Sequence, residues 1–167
     1  TFISASAIGI YGLTAIGEKT EEDQAGSDWI AKMASDWEST SRKFKKLGSR
    51  VVQMRLSLLL SNTSGFLKYT LLSMKYGIGI VLGSKKNPVN WIHIDDASRF
   101  IQRAIQDNQY QGAYNLANQQ QINQLQFMKT IQKRISPYSI IITIPILLIQ
   151  LLLGKKSLIL NSKISVS

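Results

Sequence analysis

The sequence predicts an α/β fold with a largely parallel sheet. Short apolar segments typical of strands alternate along the chain with longer segments in which apolar residues recur at helical spacing. One strand-like segment, residues 50–61, is apolar almost throughout, which is typical of a strand buried on both faces. Parallel strands need long crossover connections, and the predicted helices provide them.

The first third of the chain contains a strand, a polar loop and a helix. Residues 2–8 are predicted as the strand, 13–27 as the loop and 28–47 as the helix. We expect Ser27 to cap the start of this helix and Gly48 to end it. The apolar positions at helical spacing are Ile30, Met33, Ala34, Trp37, Phe44 and Leu47.

The rest of the chain continues the alternation. Strands or extended segments are predicted at 50–61, 79–83, 89–94 and 112–117. Helices are predicted at 64–76, after a cap at Asp95 or Asp96, at 123–135, and from about Pro145 onward. We predict two regions, an α/β domain over residues 1–135 and an apolar helical region over 136–167.

Composition excludes several kinds of site. The 167 residues are 44% apolar, as in an ordinary globular protein, and contain no cysteine and one histidine, His93. Disulfides and cysteine-based metal sites are therefore excluded, and we predict no metal site. The missing cysteines and the missing secretory signal favour a reducing, cytoplasmic location.

Net charge is +10, and the positive residues occur in short clusters at 42–46, 85–86, 129–134 and 155–156. Such clusters attract nucleic acid or anionic lipid, or simply form a solvated surface. Aromatic residues do not alternate with them, so we expect a solvated surface and no specific nucleic-acid partner. The most apolar segment, 140–154, is too short to cross a bilayer comfortably, and we do not expect membrane contact.

The glycines after the first strand imitate a dinucleotide-binding motif. Gly9, Gly12 and Ala15 follow that strand at fingerprint spacing. A true fingerprint opens a helix at once, whereas a polar loop follows here. We therefore interpret this strand end differently: Ser4, Ser6 and Tyr11 place hydroxyls where a ligand could bind, although strand-end polar residues are often structural.

Several motifs together resemble one enzyme family. They are "SASAIGIYG", "SDWIAKMASDWE", "RVVQMRLSLLLS", "GSKKNPVNWIHIDDASRFI", "GAYNLAN" and "LLIQLLLGKKSLIL". In this order they are similar to the short-chain dehydrogenase/reductase superfamily. More narrowly, they resemble its atypical NAD-dependent epimerase/dehydratase-like members, often called the sugar nucleotide epimerase family.

The resemblance implies the C-terminal part of a Rossmann-type sheet flanked by helices, without the N-terminal dinucleotide-binding βαβ units. The complete family protein would use NAD or NADP on a nucleotide-sugar-like or other small substrate. For this chain alone, the resemblance implies weak cofactor binding or none. We expect the chain by itself to be inactive, because the cofactor-binding half of the family protein is missing from it.

The resemblance also suggests roles for individual residues. Ser6 matches the superfamily's active-site Ser/Thr, and Tyr11 matches the tyrosine of a "YG" turn that lines the pocket. The superfamily's Tyr-x-x-x-Lys pair has no clear counterpart on the helix at 28–38. Aligning on Lys32 puts Asp28 in the tyrosine's place, and aligning on Glu38 as the acidic residue after the motif puts Ile30 and Ala34 at the two positions. Lys32 is therefore either a cofactor-ribose ligand or a solvated lysine.

Three further positions carry open alternatives. Arg55, in an apolar strand, must be paired structurally or face an anionic ligand such as the cofactor. His93 and Asp95 lie on the same side of an extended segment and are either substrate-side residues or local structural groups. Asn115 is expected to be structural.

The first strand has no predicted neighbour before it in the chain. An unpaired strand edge can pair with another chain or with a second copy of itself. A non-catalytic interaction role through this edge is therefore the alternative to the enzyme-derived interpretation.

Overall fold

A computed structural model describes residues 1–154, 157 and 163–166 of the chain. They form two compact units. The first unit comprises residues 1–59, 90–119 and 164–167, and the second comprises 60–89 and 120–163. Each unit is assembled from separate stretches of sequence. The sequence predicts one boundary, at residue 135, and that boundary stays a prediction.

Strands and helices alternate as the sequence predicts. The strands are β1 (Phe2–Ala7), β2 (Ile16–Lys19), β3 (Val51–Leu56), β4 (Leu58–Leu60), β5 (Ile78–Leu82), β6 (Pro88–Val89), β7 (Trp91–His93), β8 (Gly112–Leu116), β9 (Ile122–Asn123), β10 (Ile140–Ile144) and β11 (Lys163–Val166). The helices are α1 (Trp29–Arg42), α2 (Gly65–Lys75), α3 (Ile94–Gln106), α4 (Gln124–Ile135) and α5 (Ile146–Leu153).

The first unit is built on a three-stranded parallel sheet in the order β1-β3-β8. The predicted α/β class with parallel strands is confirmed. Ser6 lies beside Arg55 in the register of β1 and β3, and Arg55 lies beside Asn115 in the register of β3 and β8. Because partners in parallel strands point to the same face, these three side chains form one row.

The two faces of this sheet pack against different helices. On one face, Ser6 and Gln53 contact Glu38 of α1, and the ring of Phe2 stacks on Phe44 just beyond α1, with centroids 3.9 Å apart. On the other face, Met54 and its neighbours pack against α3. That apolar cluster contains Met54, Ile92, Ala97 and Leu116, with Ile3, Leu56, Phe100, Ile101 and Tyr114 around it.

Helix α1 starts one residue later than expected. Asp28 is its N-cap, since the carboxylate accepts hydrogen bonds from the backbone N–H groups of Ile30 and Ala31, so the predicted cap at Ser27 is wrong. A 3₁₀ turn, Lys43–Leu47, continues the helix, and Gly48 ends it in the left-handed conformation, as predicted.

The buried face of α1 also differs from the predicted one. Met33, Trp37 and Leu47 are exposed, although apolar periodicity assigned them to the core. The buried residues of the helix are Ile30, Ala31, Ala34, Glu38 and Ser41. Polar partners on the sheet therefore decide which face of the helix is buried.

Helix α3 begins at Ile94, directly after β7. His93 is its N-cap, because its side chain accepts a hydrogen bond from the backbone N–H of Asp95. The predicted cap at Asp95 or Asp96 is wrong, and both acidic residues lie in the first turn, where they interact favourably with the helix dipole.

The polar segment 13–27 is not loop throughout. It contains β2, which pairs with β11. The backbone at Gly26 passes close to the backbone at Tyr11. The Gly26 N–H donates to the Ile10 carbonyl oxygen at 2.8 Å, and a Cβ at Gly26 would lie 2.6 Å from the Tyr11 carbonyl oxygen. The crossing requires glycine, and it fixes the backbone that carries Tyr11.

The second unit contains a two-stranded parallel sheet, β5 and β10, and a short antiparallel pair, β6 and β9. The predicted continuous strand 50–61 is divided at Ser57 into β3 and β4. Helix α5 starts after Pro145 as predicted, but the apolar residues before it form strand β10.

Among the described residues, no helix is both long and apolar enough to cross a membrane. The same residues contain no group of three or more His, Cys, Asp and Glu side chains that could hold a metal ion. The basic pair at 155–156 lies outside the described residues.

Candidate functional site

Three polar side chains lie together at the carboxyl ends of the parallel strands in the first unit. Ser6, Arg55 and Asn115 each occupy the penultimate position of their strand, and the register places them side by side. In parallel α/β sheets, ligands bind outside this end of the strands. The row is therefore the candidate functional site.

An ion pair between Glu38 and Arg55 joins α1 to this row. Arg55 Nε donates to Glu38 Oε1 at 2.8 Å, and Arg55 Nη2 donates to Oε2 at 3.1 Å. Glu38 is 1% exposed and Arg55 is 8% exposed. The two parallel hydrogen bonds satisfy a pair of charges that would be costly to bury alone.

Two hydroxyl groups are held by this pair. The Ser6 hydroxyl donates to Glu38 Oε1 at 2.9 Å. The Tyr11 hydroxyl accepts from Arg55 Nη1 at 3.0 Å, and its oxygen lies 2.7 Å from Asn115 Oδ1 and 2.8 Å from the Thr20 carbonyl oxygen. A phenol has one proton to donate, so these two acceptors share it.

The network extends to both sides of the pair. Gln53 Nε2 donates to the Glu38 carbonyl oxygen at 2.7 Å and to the Ser41 hydroxyl at 2.6 Å. On the β8 side, the backbone N–H of Asn115 donates to a Glu21 carboxylate oxygen at 2.6 Å. The row is thus connected both to α1 and to the segment before it.

Comparison with known proteins shows what the sequence is similar to. No protein-family model matches the sequence. An epimerase family protein of Mycobacterium bovis is 34% identical over 127 residues, which cover 76% of this chain and 42% of that protein. The chain is therefore similar to part of an epimerase family protein.

Solved structures show the same fold. The human epimerase family protein SDR39U1, crystallised with NADPH, matches 98% of this chain with a TM-score of 0.86 at 22% identity, over 56% of its own length. A nucleoside-diphosphate sugar epimerase from Corynebacterium glutamicum matches 89% with a TM-score of 0.71 at 29% identity, over 33% of its own length. The Rossmann-type prediction is confirmed.

The chain spans about two fifths of the length of the curated relatives it matches, 42% for the Mycobacterium bovis protein. The activity, cofactor and substrate of such a longer protein are therefore matters of proposal for this chain.

The ion pair also shifts the pKa values within the network. Burial raises the pKa of Glu38, but the hydrogen bonds and charge of Arg55, with smaller effects of Ser6 and Arg42, outweigh burial and lower it below its ordinary value. Burial raises the pKa of Tyr11, and Arg55 and Asn115 offset this only in part. Glu38 is therefore a carboxylate and Tyr11 a neutral phenol at neutral pH.

These states limit what the two hydroxyls can do chemically. The Ser6 O–H donates to Glu38, so the Ser6 oxygen can accept a hydrogen bond from a substrate hydroxyl. Donation to a substrate carbonyl would require Ser6 to break its hydrogen bond to Glu38. Tyr11 stays protonated and is 3% exposed, which favours an anchoring role over proton transfer. Their catalytic assignments stay predictions.

The structure does not bring all predicted site residues together. Arg55 has the structural partner that its buried position requires, and its role toward a cofactor stays a prediction. Lys32 is exposed on α1. His93 and Asp95 contact each other at the start of α3, which packs on the opposite face of the sheet from Glu38.

Sequence analysis missed Glu38 as a member of the site. The signal was present: Ile30, Ala34 and Glu38 follow one another at four-residue spacing on one face of the helix. Arg55 was the second indication, because a buried charge needs an oppositely charged partner and Glu38 could provide one.

We expect Glu38→Ala to destabilise the chain by about 3–5 kcal/mol, because it leaves the Arg55 guanidinium buried without its counter-charge. The double variant Glu38→Leu/Arg55→Leu should recover much of this loss, since neither charge remains to be buried. Urea unfolding followed by far-ultraviolet circular dichroism measures both.

The matched control is Asp96→Ala. It removes an ion pair of similar length, Asp96 Oδ1 to Arg99 Nη1 at 2.7 Å, in which both side chains are more than half exposed. This variant should lose less than about 1 kcal/mol. Equal losses for Glu38→Ala and Asp96→Ala would show that the buried pair does not stabilise the unit.

We expect Glu38 to make stability fall in acid. Its folded-state pKa is lower than the ordinary value of 4.5, so below about that pH the unfolded chain binds the proton more tightly than the folded chain. The contribution is present above the unfolded pKa and is lost as pH falls through the folded pKa. Urea midpoints between neutral pH and acid should therefore fall more steeply for the wild type than for Glu38→Gln.

Asp23→Asn is the control for that profile. A hydrogen bond from the Thr20 backbone N–H, together with Lys19, lowers the pKa of Asp23 as well, but this carboxylate is well hydrated. Its removal should change the acid slope less than Glu38→Gln does. Parallel profiles for Glu38→Gln and the wild type would contradict the prediction.

Proposed function

We propose that this chain forms the substrate-side part of an NAD(P)-dependent epimerase/dehydratase-like oxidoreductase acting on a nucleotide-sugar-like or other small substrate. One observation carries the proposal: the carboxyl ends of three parallel strands align Ser6, Arg55 and Asn115 in a chain similar to epimerase family proteins. In open α/β sheets, ligands bind outside this end of the strands.

In this proposal Ser6 contacts the substrate. Its oxygen accepts a hydrogen bond from a substrate hydroxyl while its own O–H continues to donate to Glu38. Arg55 and Tyr11 hold the strand end in place, and His93 and Asp95 belong to the segment on the substrate side. The longer relatives contribute residues that this chain does not match.

The described residues do not fit a cofactor pyrophosphate. That group binds at a helix N-terminus reached directly from a glycine-rich turn. After Gly12 comes β2 instead of a helix, and the N-terminus of α1 is already occupied by the Asp28 carboxylate, which accepts from Leu13, Ile30 and Ala31. A second anion there would be repelled.

We therefore expect the chain alone to show no saturable micromolar binding of NADH or NADPH. Fluorescence titration and calorimetry measure this, with the human protein that was crystallised with NADPH as positive control. Micromolar binding by these 167 residues would show that the Asp28 carboxylate at the N-terminus of α1 does not prevent cofactor binding.

A chimera tests the proposed function itself. The residues of the Mycobacterium bovis relative that precede its matched stretch are joined before Thr1, and the folded chimera should bind NADPH. Within it, Lys32→Ala should weaken binding if Lys32 holds the ribose, while Lys43→Ala, an exposed lysine just beyond the same helix, should not. A folded chimera without NADPH affinity would refute the proposal.

Pairing through the edge of β1 is a second candidate function. In the described part of the sheet, β1 is an outer strand whose one neighbour is β3. The N–H of Phe2 points toward β3, where it donates to Arg50, so the alternate residues Ile3, Ala5 and Ala7 direct theirs to the outer edge. Ala5 is also exposed.

If this edge mediates self-association, multi-angle light scattering should show a mass that rises with protein concentration. Ala5→Pro removes an outer-edge donor without removing a hydrogen bond to β3, and should give a monomer. Ala5→Ser retains the donor and should behave as the wild type. A monomeric wild type at every concentration would exclude self-pairing.

A further inference from the structure

The net positive charge of the protein comes from one of its two units. Residues 60–89 and 120–163, which form the second unit, contain ten Lys and Arg and no Asp or Glu. The remaining residues contain ten of each sign. The net charge of +10 therefore belongs to the second unit, whose cations have no carboxylate of their own unit to pair with.

The second unit also carries an uncovered apolar sheet face. The register pairs Ile78 with Ile140 and Ile80 with Ile142, so these residues point to the same side. Ile140 is 69% exposed, Ile78 is 45% and Ile142 is 43%. We call this surface the isoleucine face; its members are Ile78, Ile80, Leu82, Ile140, Ile142 and Ile144.

The opposite face of the same sheet is the packed one. A Cβ at Gly79 would lie 2.8 Å from Met74 Cε of α2, and Val81 is fully buried. Since Gly79 and Val81 alternate with the isoleucines, α2 covers the side of the sheet that the isoleucine face turns away from. The isoleucine face is therefore not the core of this unit.

Tyrosines and cations lie in the segments that lead into the two strands of the isoleucine face. Tyr76 and Tyr138 precede the two strands and are 81% and 97% exposed. The hydrogen bond from the Ile140 N–H to the Gly77 carbonyl oxygen, 2.8 Å, brings these strand ends together. Lys75 ends α2 and leads into β5, while Lys133 and Arg134 lie in the last turn of α4, which precedes β10.

We propose that the isoleucine face docks on the surface of an anionic phospholipid membrane. Binding to such a surface combines buried apolar area with attraction between cations and lipid headgroups, and tyrosine favours the boundary between the two. Nucleic acid would instead require stacking platforms or hydrogen-bond donors where the aliphatic side chains lie. The exposed Leu147, Leu148 and Leu151 of α5 add apolar surface to the same unit.

This proposal reverses the expectation from sequence, which did not favour membrane contact. The sequence showed one apolar segment, 140–154, whereas the fold joins its first half to β5 and so doubles the width of the apolar surface. The proposal is independent of the proposed enzymatic role, which concerns the first unit.

Vesicle flotation of the intact chain tests it. The protein should float with vesicles of phosphatidylcholine and phosphatidylglycerol at low salt, and should bind pure phosphatidylcholine vesicles far less. The variant Ile140→Thr/Ile142→Thr keeps β-branched residues in the strand and should bind at least several-fold more weakly. Lys133→Gln/Arg134→Gln should weaken binding roughly tenfold or more, because each basic residue near an anionic surface contributes measurably.

Matched controls in the first unit distinguish binding through the isoleucine face from non-specific binding of exposed apolar or basic residues to vesicles. Ile16→Thr changes a 73% exposed strand isoleucine, and Lys45→Gln/Lys46→Gln removes the same two charges from an exposed turn. Both should bind the anionic vesicles as the wild type does. Far-ultraviolet circular dichroism checks that each variant is folded.

Four results would overturn the proposal. The first is no binding of the wild type to the anionic vesicles at low salt, and the second is binding as strong as that of the wild type by the folded Ile140→Thr/Ile142→Thr variant. The third is salt-sensitive binding to single-stranded DNA without binding to vesicles. The fourth is a dimer, seen by light scattering, that dissociates in the threonine variant, again without binding to vesicles. The third result would identify the cations as a nucleic-acid surface, and the fourth would identify the isoleucine face as a contact between copies.

Discussion

The polar face of the first unit depends on the buried ion pair of Glu38 and Arg55. Each charge would be costly to bury alone, and together they satisfy each other through two hydrogen bonds of 2.8 and 3.1 Å. The pair also decides the rotation of α1, because Glu38 can be buried only if the exposed side of the helix includes Met33 and Trp37. Helix position and strand-end chemistry therefore share one cause.

The same pair determines what the strand-end hydroxyls offer a ligand. Ser6 and Tyr11 enter the row already hydrogen-bonded, one to the carboxylate and the other to the guanidinium. A group fixed in this way is positioned in advance, which favours recognition of one ligand geometry, but its proton is committed. The site is thus better suited to holding a substrate hydroxyl than to supplying an acid at neutral pH.

Local sequence signals predicted the fold class and most elements, because alternation and helical spacing depend on neighbouring residues. They located the carboxyl end of β1 and the buried Arg55. They did not identify Glu38 as a buried residue of the site, since apolar periodicity alone predicts that the large side chain of Trp37 is buried. They also misplaced two helix caps by one to three residues, because Ser27, Asp95 and Asp96 are of residue types that commonly cap helices. Which polar groups meet across strands is decided by register, and register is a property of the whole sheet.

The distribution of acidic residues separates the two units more sharply than their folds do. In the first unit carboxylates act as helix cap, ion-pair partner and backbone acceptor, at Asp28, Glu38 and Glu21 respectively. In the second unit, cations at the ends of α2 and α4 gain from the helix dipoles, which explains where Lys75, Lys133 and Arg134 lie. The helix dipoles explain the positions of these three cations, but they do not explain why the second unit contains no Asp or Glu. An external anionic surface does account for that absence, because any carboxylate beside the isoleucine face would oppose its approach.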